Sequence, residues 1–159
     1  MKKILILMIV ISSLAFSSVV VNQPIKNFNL PDQFGNIHKI KNSTTKVIFA
    51  FKKASGHTVK DFVATKDADY LSKRDILFVA DVSAMPSFIK FFVLPITGYD
   101  YPIVTLDNDE LSDYYKNKGN EEKIMVVILN NMNVVDIKYI ENVSDLQKEI
   151  EKEDNISTK

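Results

Sequence analysis

Residues 47–63 read VIFAFKKASGHTVKDFV, and this stretch decides the class of fold. Its first five residues form an unbroken apolar run between lysines, which predicts a short buried β-strand. A helix should follow the strand, because the next apolar residues share one face at helical spacing: Val59, Phe62, Val63, Tyr70 and Leu71. A strand that leads into a helix is the building unit of α/β folds.

The same strand signal recurs downstream of this helix, at residues 76–80, 103–106, 124–129 and 134–139. The last two runs flank the sequence NNMN, whose asparagines tolerate the left-handed conformation of a tight turn, so they should pair as a hairpin. Upstream, a Pro/Asp/Gly turn separates two short apolar stretches at residues 28–30 and 37–40. This pattern predicts an N-terminal β-hairpin.

Further helices should connect these strands. Pro86 suits the first turn of one helix, and residues 111–115 form a second, short helix that Gly119 ends. Ser144, with Gln147 three residues later, predicts a capping box at the start of a terminal helix. The whole order predicts an α/β fold with a central mixed β-sheet, helices on both faces and an N-terminal β-hairpin extension.

The beginning of the chain has the layout of a secretory signal peptide. Two lysines precede an apolar run at residues 4–11, and Ala15 and Ser17 have the spacing of a signal peptidase site. We therefore expect a periplasmic or otherwise extracytoplasmic location. An uncleaved segment that acts as a membrane anchor is the alternative, and only then would the protein bind a membrane. The expected divisions of the chain are a cleaved signal peptide, a single domain and a flexible tail, at residues 1–17, 18–153 and 154–159.

Composition removes several classes of function. The 159 residues include 20 Lys and Arg against 20 Asp and Glu, so the chain lacks the excess positive charge that nucleic-acid binding requires. The absence of cysteine excludes thiol redox chemistry, cysteine nucleophiles and thiolate-bound metals. The four glycines form no Gly-x-Gly-x-x-Gly motif for a flavin or nicotinamide. We expect no cofactor, and no metal either, because spacing places no third ligand beside His57 and Asp61.

Phe28, Leu30, Asp32 and Gly35, placed ahead of the strand VIFAF, form a pattern found at the start of peroxiredoxins and exported thioredoxins. The chain thus resembles the thioredoxin-like superfamily over nearly all of its mature part. The sequence YPIVTLD at residues 101–107, the late hairpin and the terminal helix are similar to those of the YtfJ-type periplasmic proteins. The resemblance implies a thioredoxin-like fold for the predicted domain.

The sequence departs from this superfamily at both parts of the redox site. Where thioredoxins carry Cys-x-x-Cys after the first central strand, the best register places Ala54, Ser55, Gly56 and His57. Where they carry a cis-proline before the final hairpin, this chain has NEEK at residues 120–123. A thiolate is the attacking species in that chemistry, so we expect no thiol-based oxidoreductase or peroxidase activity. We expect instead a redox-inactive, exported binding or accessory protein.

The segment between the first central strand and its helix is the strongest candidate for a ligand site. A helix N-terminus with lysines and a histidine beside it would bind a small anion weakly, through Lys52, Lys53, Ser55, Gly56, His57 and Thr58. A plainer interpretation is that the lysines are solvated and that Ser55 or Thr58 caps the helix, with Asp61 completing a box from Thr58. A non-thiol enzyme with its site at residues 52–57 is a further alternative.

An interaction face is the second candidate, on the apolar stretch around Pro86, formed by Met85, Phe88, Phe91 and Phe92. Packing in the core is the simpler explanation of the same stretch. If the face is exposed, the protein would act as an interaction subunit of a periplasmic assembly. The expected partners are therefore an unknown periplasmic protein or a small anionic ligand, and not a nucleic acid.

Overall fold

Two β-sheets organise the structure, a computed structural model that describes residues 18–93 and 98–152, with side chains for all of these except residues 91–93. The predicted signal peptide and the tail from residue 154 lie outside the described residues. A small antiparallel pair is formed by β1 (Leu30–Pro31) and β2 (Ile37–His38). The central sheet is formed by β3 (Lys46–Ala50), β4 (Ile76–Asp81), β5 (Val104–Leu106), β6 (Ile124–Asn130) and β7 (Asn133–Ile140).

The central sheet is mixed and has the strand order β5-β4-β3-β6-β7. β3, β4 and β5 are parallel, whereas β6 is antiparallel to both β3 and β7. Val47 of β3 stands opposite Leu77 and Val127, and all of β3 is buried, which explains its unbroken apolar sequence. The one charged residue of β3, Lys46, directs its ammonium to the carbonyl oxygen of Lys152, 3.3 Å away.

The described helices lie on both faces of this sheet. They are α1 (Lys53–Val63), α2 (Ser87–Val93), α3 (Asp109–Tyr115) and α4 (Val143–Glu151), with one 3-10 turn at Ser72–Arg74. α1 and α4 cover one face, where Phe62 and Leu146 pack in one buried cluster with Ile48. α3 lies on the other face, where Tyr115 stacks on Phe49 with 4.6 Å between the ring centroids. The predicted mixed sheet with helices on both faces is confirmed.

The N-terminal segment before β3 contacts both outer strands of the central sheet. At β7, the N–H of Asn22 donates to the carbonyl of Val134 at 2.8 Å, and the N–H of Val134 donates to the carbonyl of Gln23 at 2.9 Å. At β5, Asp32 forms an antiparallel bridge with Val104. Between these two points the segment adds apolar side chains to the core on the α3 face, namely Ile25, Phe28 and Leu30.

The hairpin of β1 and β2 confirms the predicted N-terminal extension. Its turn includes Gly35, whose φ of +88° glycine adopts without strain. The Asp32 carboxylate accepts the N–H groups of Phe34 at 2.8 Å and Asn36 at 2.9 Å, and Nε2 of His38 lies 2.8 Å from it. Burial alone would raise the pKa of the Asp32 carboxyl, but His38 and these N–H donors outweigh that effect and hold the pKa below its ordinary value.

The first helix differs from the sequence prediction at both ends. α1 begins at Lys53, so residues 52–58 are its cap and first turns rather than a loop. The early start has a local cause, because the Ser55 hydroxyl accepts the backbone N–H of Lys52 at 3.3 Å. α1 ends at Val63, so Tyr70 and Leu71 lie beyond the helix instead of continuing its apolar face.

The predicted capping box of Ser144 and Gln147 is wrong. Asn142 is the N-cap of α4, and its side-chain oxygen accepts the N–H of Asp145 at 2.9 Å. Ser144 therefore lies inside the helix, and Gln147 donates to Glu151 one turn later at 3.1 Å. Asparagine and serine are about equally good N-caps, so the local sequence does not choose between them.

The short helix α3 ends at Tyr115, as predicted, but it begins earlier and Gly119 is not its cap. Asn108 is its N-cap and accepts the N–H of Leu111 at 2.9 Å, so the helix begins at Asp109. Lys116 is the C-cap, and Gly119 lies in the turn that follows, with a φ of +92°. None of the helices in the described part of the chain is long and apolar enough to cross a membrane.

Candidate functional site

A cavity of about 460 Å³ opens beside the carboxyl ends of β3, β4 and β5, between α1 and the start of α2. Ligands of open α/β sheets bind at this edge of the parallel strands. Small-molecule sites have volumes of roughly 300 to 1,000 Å³, so the cavity has the size of one. The sheet and the residues next to its strands line it with Ala50, Phe78, Ala80, Val82, Ile103 and Thr105.

α1 supplies a positively charged wall to this cavity. Lys53, His57 and Lys60 are spaced by four and three residues, which places them on one side of the helix. All three line the cavity, as do Lys52 at the N-cap and Gly56. The structure therefore brings Lys52, Lys53, Gly56 and His57 of the predicted anion site together and adds Lys60.

Lys52 also acts on Glu121, a carboxylate that does not line the cavity. The pKa of Glu121 is lowered by hydrogen bonds from its own N–H and that of Gly119, and further by the charges of Lys52 and Lys116.

The two remaining residues of the predicted anion site do not line the cavity. Ser55 is 1% exposed, and its hydroxyl donates to the carbonyl of Lys52 at 3.0 Å while accepting that residue's N–H. The hydroxyl of Thr58 donates to the carbonyl of Ala54 at 3.1 Å, one turn back along α1. Ser55 thus belongs to the helix cap, as the plainer interpretation expected. Thr58 is a residue of the helix interior and starts no capping box with Asp61.

The wall opposite α1 is apolar. Ile89 in α2 and Met85 just before this helix line the cavity, together with the residues of the sheet named above. Phe88 lies between them in sequence but is 68% exposed and does not line the cavity. Core packing therefore does not explain Phe88. The side chains of Phe91 and Phe92, which complete the predicted interaction face, lie outside the described residues.

Asp81, at the end of β4, is the one carboxylate among the described residues that line the cavity. Its Oδ1 accepts the N–H of Ser83 at 2.9 Å, and its Oδ2 accepts the hydroxyl of Ser112 at 2.6 Å. The ammonium of Lys116 lies 3.3 Å from the same Oδ2, and the side chain of Asp81 is only 4% exposed. Lys116 therefore compensates the charge of Asp81, and the remaining charge of the lining is positive.

The N-terminal hairpin closes the side of the cavity next to β5. Gln33 lines the cavity, and its amide donates to the carbonyl of Tyr101 and accepts the N–H of Ile103, both at 2.7 Å. The hydroxyl of Thr105 donates to the carbonyl of Pro31 at 2.9 Å. The outer edge of the sheet is therefore already covered here by the protein's own chain.

A larger cavity of about 560 Å³ lies on the other side of the hairpin, beside the first residues of β4. Its lining mixes the basic residues His38, Lys39 and Lys41 with Asp75. The smaller cavity contains most of the residues that the sequence predicts as a site, so it is the candidate functional site.

Solved structures with the same layout decide the fold. StoA from Bacillus subtilis superposes with a TM-score of 0.56 at 18% identity, over 80% of this chain and 97% of its own. A putative thiol:disulfide interchange protein DsbE from Chlorobium tepidum gives 0.56 at 15% identity, over 84% and 96%. A peroxiredoxin-like protein from Aquifex aeolicus gives 0.54 at 8% identity, over 84% and 86%.

The fold is thioredoxin-like. No family model matches the sequence, and no curated protein matches it. At these identities the likeness establishes the architecture alone, and the function has to be argued from the site.

The thioredoxin-like sheet presents no thiol at this edge, because the sequence has no cysteine. Ala54, Ser55, Gly56 and His57, aligned with the Cys-x-x-Cys of thioredoxins, occupy the first turns of α1. The sequence contains no cysteine elsewhere that could replace them. The described part of the chain also contains no cis peptide bond. The fold of thiol-disulfide oxidoreductases is therefore present without the groups of their redox chemistry.

Sequence reasoning missed Lys60, Ile89 and Gln33 as residues of this cavity. A signal for Lys60 was present, because it continues the spacing of Lys53 and His57 once the helix starts at Lys53. Ile89 belongs to the apolar stretch around Pro86, for which packing in the core is the simpler explanation from sequence. Gln33 had no local signal, since its position depends on contacts with Tyr101 and Ile103, far along the chain.

Proposed function

We propose that this protein is an exported, redox-inactive thioredoxin-like binding protein, and that its ligand occupies the cavity between α1 and α2. One observation carries the proposal: the edge of the sheet holds a cavity with a cationic wall and no thiol. Concave, mostly apolar sites with a few convergent polar groups are typical of ligand binding. Binding rather than redox turnover is the use that these residues support.

Export is supported by the sequence of residues 1–17, with its lysines, apolar run and peptidase spacing. Kinship with the YtfJ-type periplasmic proteins, proposed from residues 101–107, agrees with that location. Intact-mass analysis of the protein from cells tests export. A mature chain beginning near Ser18 in the extracytoplasmic fraction is expected. A chain that keeps Met1 in the membrane would support the anchor alternative.

Binding is tested by native mass spectrometry of the protein recovered from its own cells. We expect a small molecule to stay bound to the natural protein and to be lost from a charge-reversed variant, Lys53→Glu/Lys60→Glu. The matched control is Lys41→Glu/Lys118→Glu, which reverses two exposed lysines that do not line this cavity. Equal retention by both variants, or an empty natural protein, would contradict binding at this cavity.

A non-thiol enzyme at the same cavity has less support. General acid-base catalysis needs a titratable group with a free hydrogen-bonding position toward the substrate. His57 is one candidate, but Asp81, the carboxylate of the lining, is already occupied by Ser83, Ser112 and Lys116. Among the described residues that line the cavity, no second carboxylate is present to orient the imidazole.

An interaction subunit is the second candidate function, and Phe88 is the observation that favours it. A phenylalanine 68% exposed on a helix is an apolar contact available to another protein. A photo-crosslinking residue at position 88 should capture one defined partner in cells. The same residue at Lys118, which is also exposed, should not. Identical products at both positions would contradict a specific face.

A further inference from the structure

We infer that the ligand of this cavity is a small amphipathic anion, with one anionic head group on an unbranched or compact apolar body. This inference rests on the proposed binding function and specifies its ligand. Three features of the cavity carry it: the charge of one wall, the apolar character of the other, and the coverage of the sheet edge.

The head group belongs at the α1 wall. Lys53, His57 and Lys60 form one stripe along α1, and each lines the cavity. The ammonium of Lys60 lies 5.0 Å from the centroid of the Tyr99 ring, which does not line the cavity, and this contact leaves the charge unneutralised. Because Asp81 is compensated by Lys116, an incoming anion meets a net positive wall.

The apolar body belongs against α2 and the sheet. Ile89 lines the cavity from α2 and Met85 from the turn before this helix, while Phe78, Ala80 and Ile103 line it from the sheet side. An inorganic anion would leave this surface in water, whereas an apolar chain attached to the anion would bury it. The methionine adds an adaptable contact, because its unbranched side chain fills irregular space.

The coverage of the sheet edge favours a small molecule over an extended peptide. Strand addition requires a free edge with unpaired backbone groups. Beside this cavity that edge is occupied by the bridge between Asp32 and Val104 and by the two hydrogen bonds of Gln33. A ligand must therefore bind through its head group and its apolar surface, and not through backbone pairing.

A matched series of probes tests the inference on the intact exported protein by calorimetric titration. Octanoate carries both parts, acetate only the head, and octan-1-ol only the apolar chain. We expect octanoate to bind at least tenfold more tightly than either of the others. Octyl phosphate is the fourth probe, and its affinity relative to octanoate distinguishes a phosphate from a carboxylate head group.

Two variants separate the walls. Lys53→Gln/Lys60→Gln should weaken the binding of octanoate about tenfold, which corresponds to roughly 1.4 kcal/mol of lost attraction. The binding of octan-1-ol should stay unchanged, because this probe carries no charge. Ile89→Ser should weaken octanoate and octan-1-ol together. The control Lys41→Gln/Lys118→Gln should change neither, because its residues do not line the cavity.

Each failure has its own meaning. If octan-1-ol binds as tightly as octanoate, the ligand does not need an anionic head group. If acetate binds as tightly as octanoate, the ligand does not need an apolar body. The binding function would stand in both cases. Failure of all four probes to bind would overturn the inference. If the natural protein then still retained a small molecule in native mass spectrometry, the binding function would survive, and an empty protein would overturn both.

Discussion

The hydroxyl of Ser112 donates a hydrogen bond of 2.6 Å to Oδ2 of Asp81 and joins the helix α3 to the end of β4. Ser112 is 1% exposed, so this bond is made out of contact with water. The ammonium of Lys116, the C-cap of α3, lies 3.3 Å from the same oxygen. A single carboxylate thereby fixes a helix against the sheet and contributes to the lining of the candidate site.

Asp81→Ala should lower the free energy of unfolding by about 1 to 3 kcal/mol, because it leaves the buried Ser112 hydroxyl without its acceptor. Urea unfolding at neutral pH measures the change. Asp113→Ala, which removes an exposed carboxylate from the same helix, is the control and should stay within about 0.5 kcal/mol of the natural protein. Equal losses from both substitutions would contradict a special role for Asp81.

Gly56→Ala should raise the free energy of unfolding by about 0.5 to 1 kcal/mol. Gly56 lies inside α1, where glycine is less favourable than alanine, and an added Cβ would meet only the Cβ of Ala50, at an ordinary 3.9 Å. Thermal unfolding measures the gain. A destabilised variant would show that the backbone at this position needs the freedom of glycine.

The pKa of Asp32 predicts how acid affects the N-terminal hairpin. The pKa is lowered in the folded protein from an ordinary value of 3.8, so the carboxylate stabilises the fold above that value. Its contribution should be lost as the pH falls below 3.8 and through the folded-state pKa. Asp32→Asn should therefore show a smaller fall in unfolding free energy between pH 5 and roughly pH 2. An unchanged pH profile would place the acid sensitivity elsewhere.

The purified protein should neither reduce insulin disulfides nor consume peroxide above the background of the assay. A mixed disulfide requires a thiolate, and the chain has no cysteine to supply it. A thioredoxin with an intact Cys-x-x-Cys, assayed at the same concentration, is the positive control. Turnover that follows this protein through purification would require a different chemistry and would contradict the redox-inactive assignment.

The strands of the central sheet could be predicted because their sequences follow directly from burial. β3 has neighbours on both sides and layers on both faces, so every position from Val47 to Ala50 is apolar. The last hairpin was equally clear, and Asn131 has the expected left-handed φ of +46°. In both cases the environment is uniform along the whole element, so the local sequence alone predicts it.

Helix starts and the candidate site were harder to predict, because competing local signals have similar strength. Lys52 is an unusual N-cap, and its helix starts there only because Ser55 at the third helical position satisfies its backbone. Asn142 and Ser144 are both good caps, and the structure uses the first. The contact of Gln33 with Tyr101 joins distant parts of the chain and leaves no mark in either local sequence.

The N-terminal segment, which pairs with β7 at Val134 and with β5 at Val104, also has a consequence for the order of folding. This segment precedes the central strands in the sequence, whereas its partners on the outer strands lie far along the chain. Such long-range pairings slow folding, because the loop-closure cost precedes the contacts that repay it. The same pairings cover part of both edges of the central sheet, where an exposed strand could pair with another chain. The edges of the sheet are therefore protected late, when these long-range contacts form.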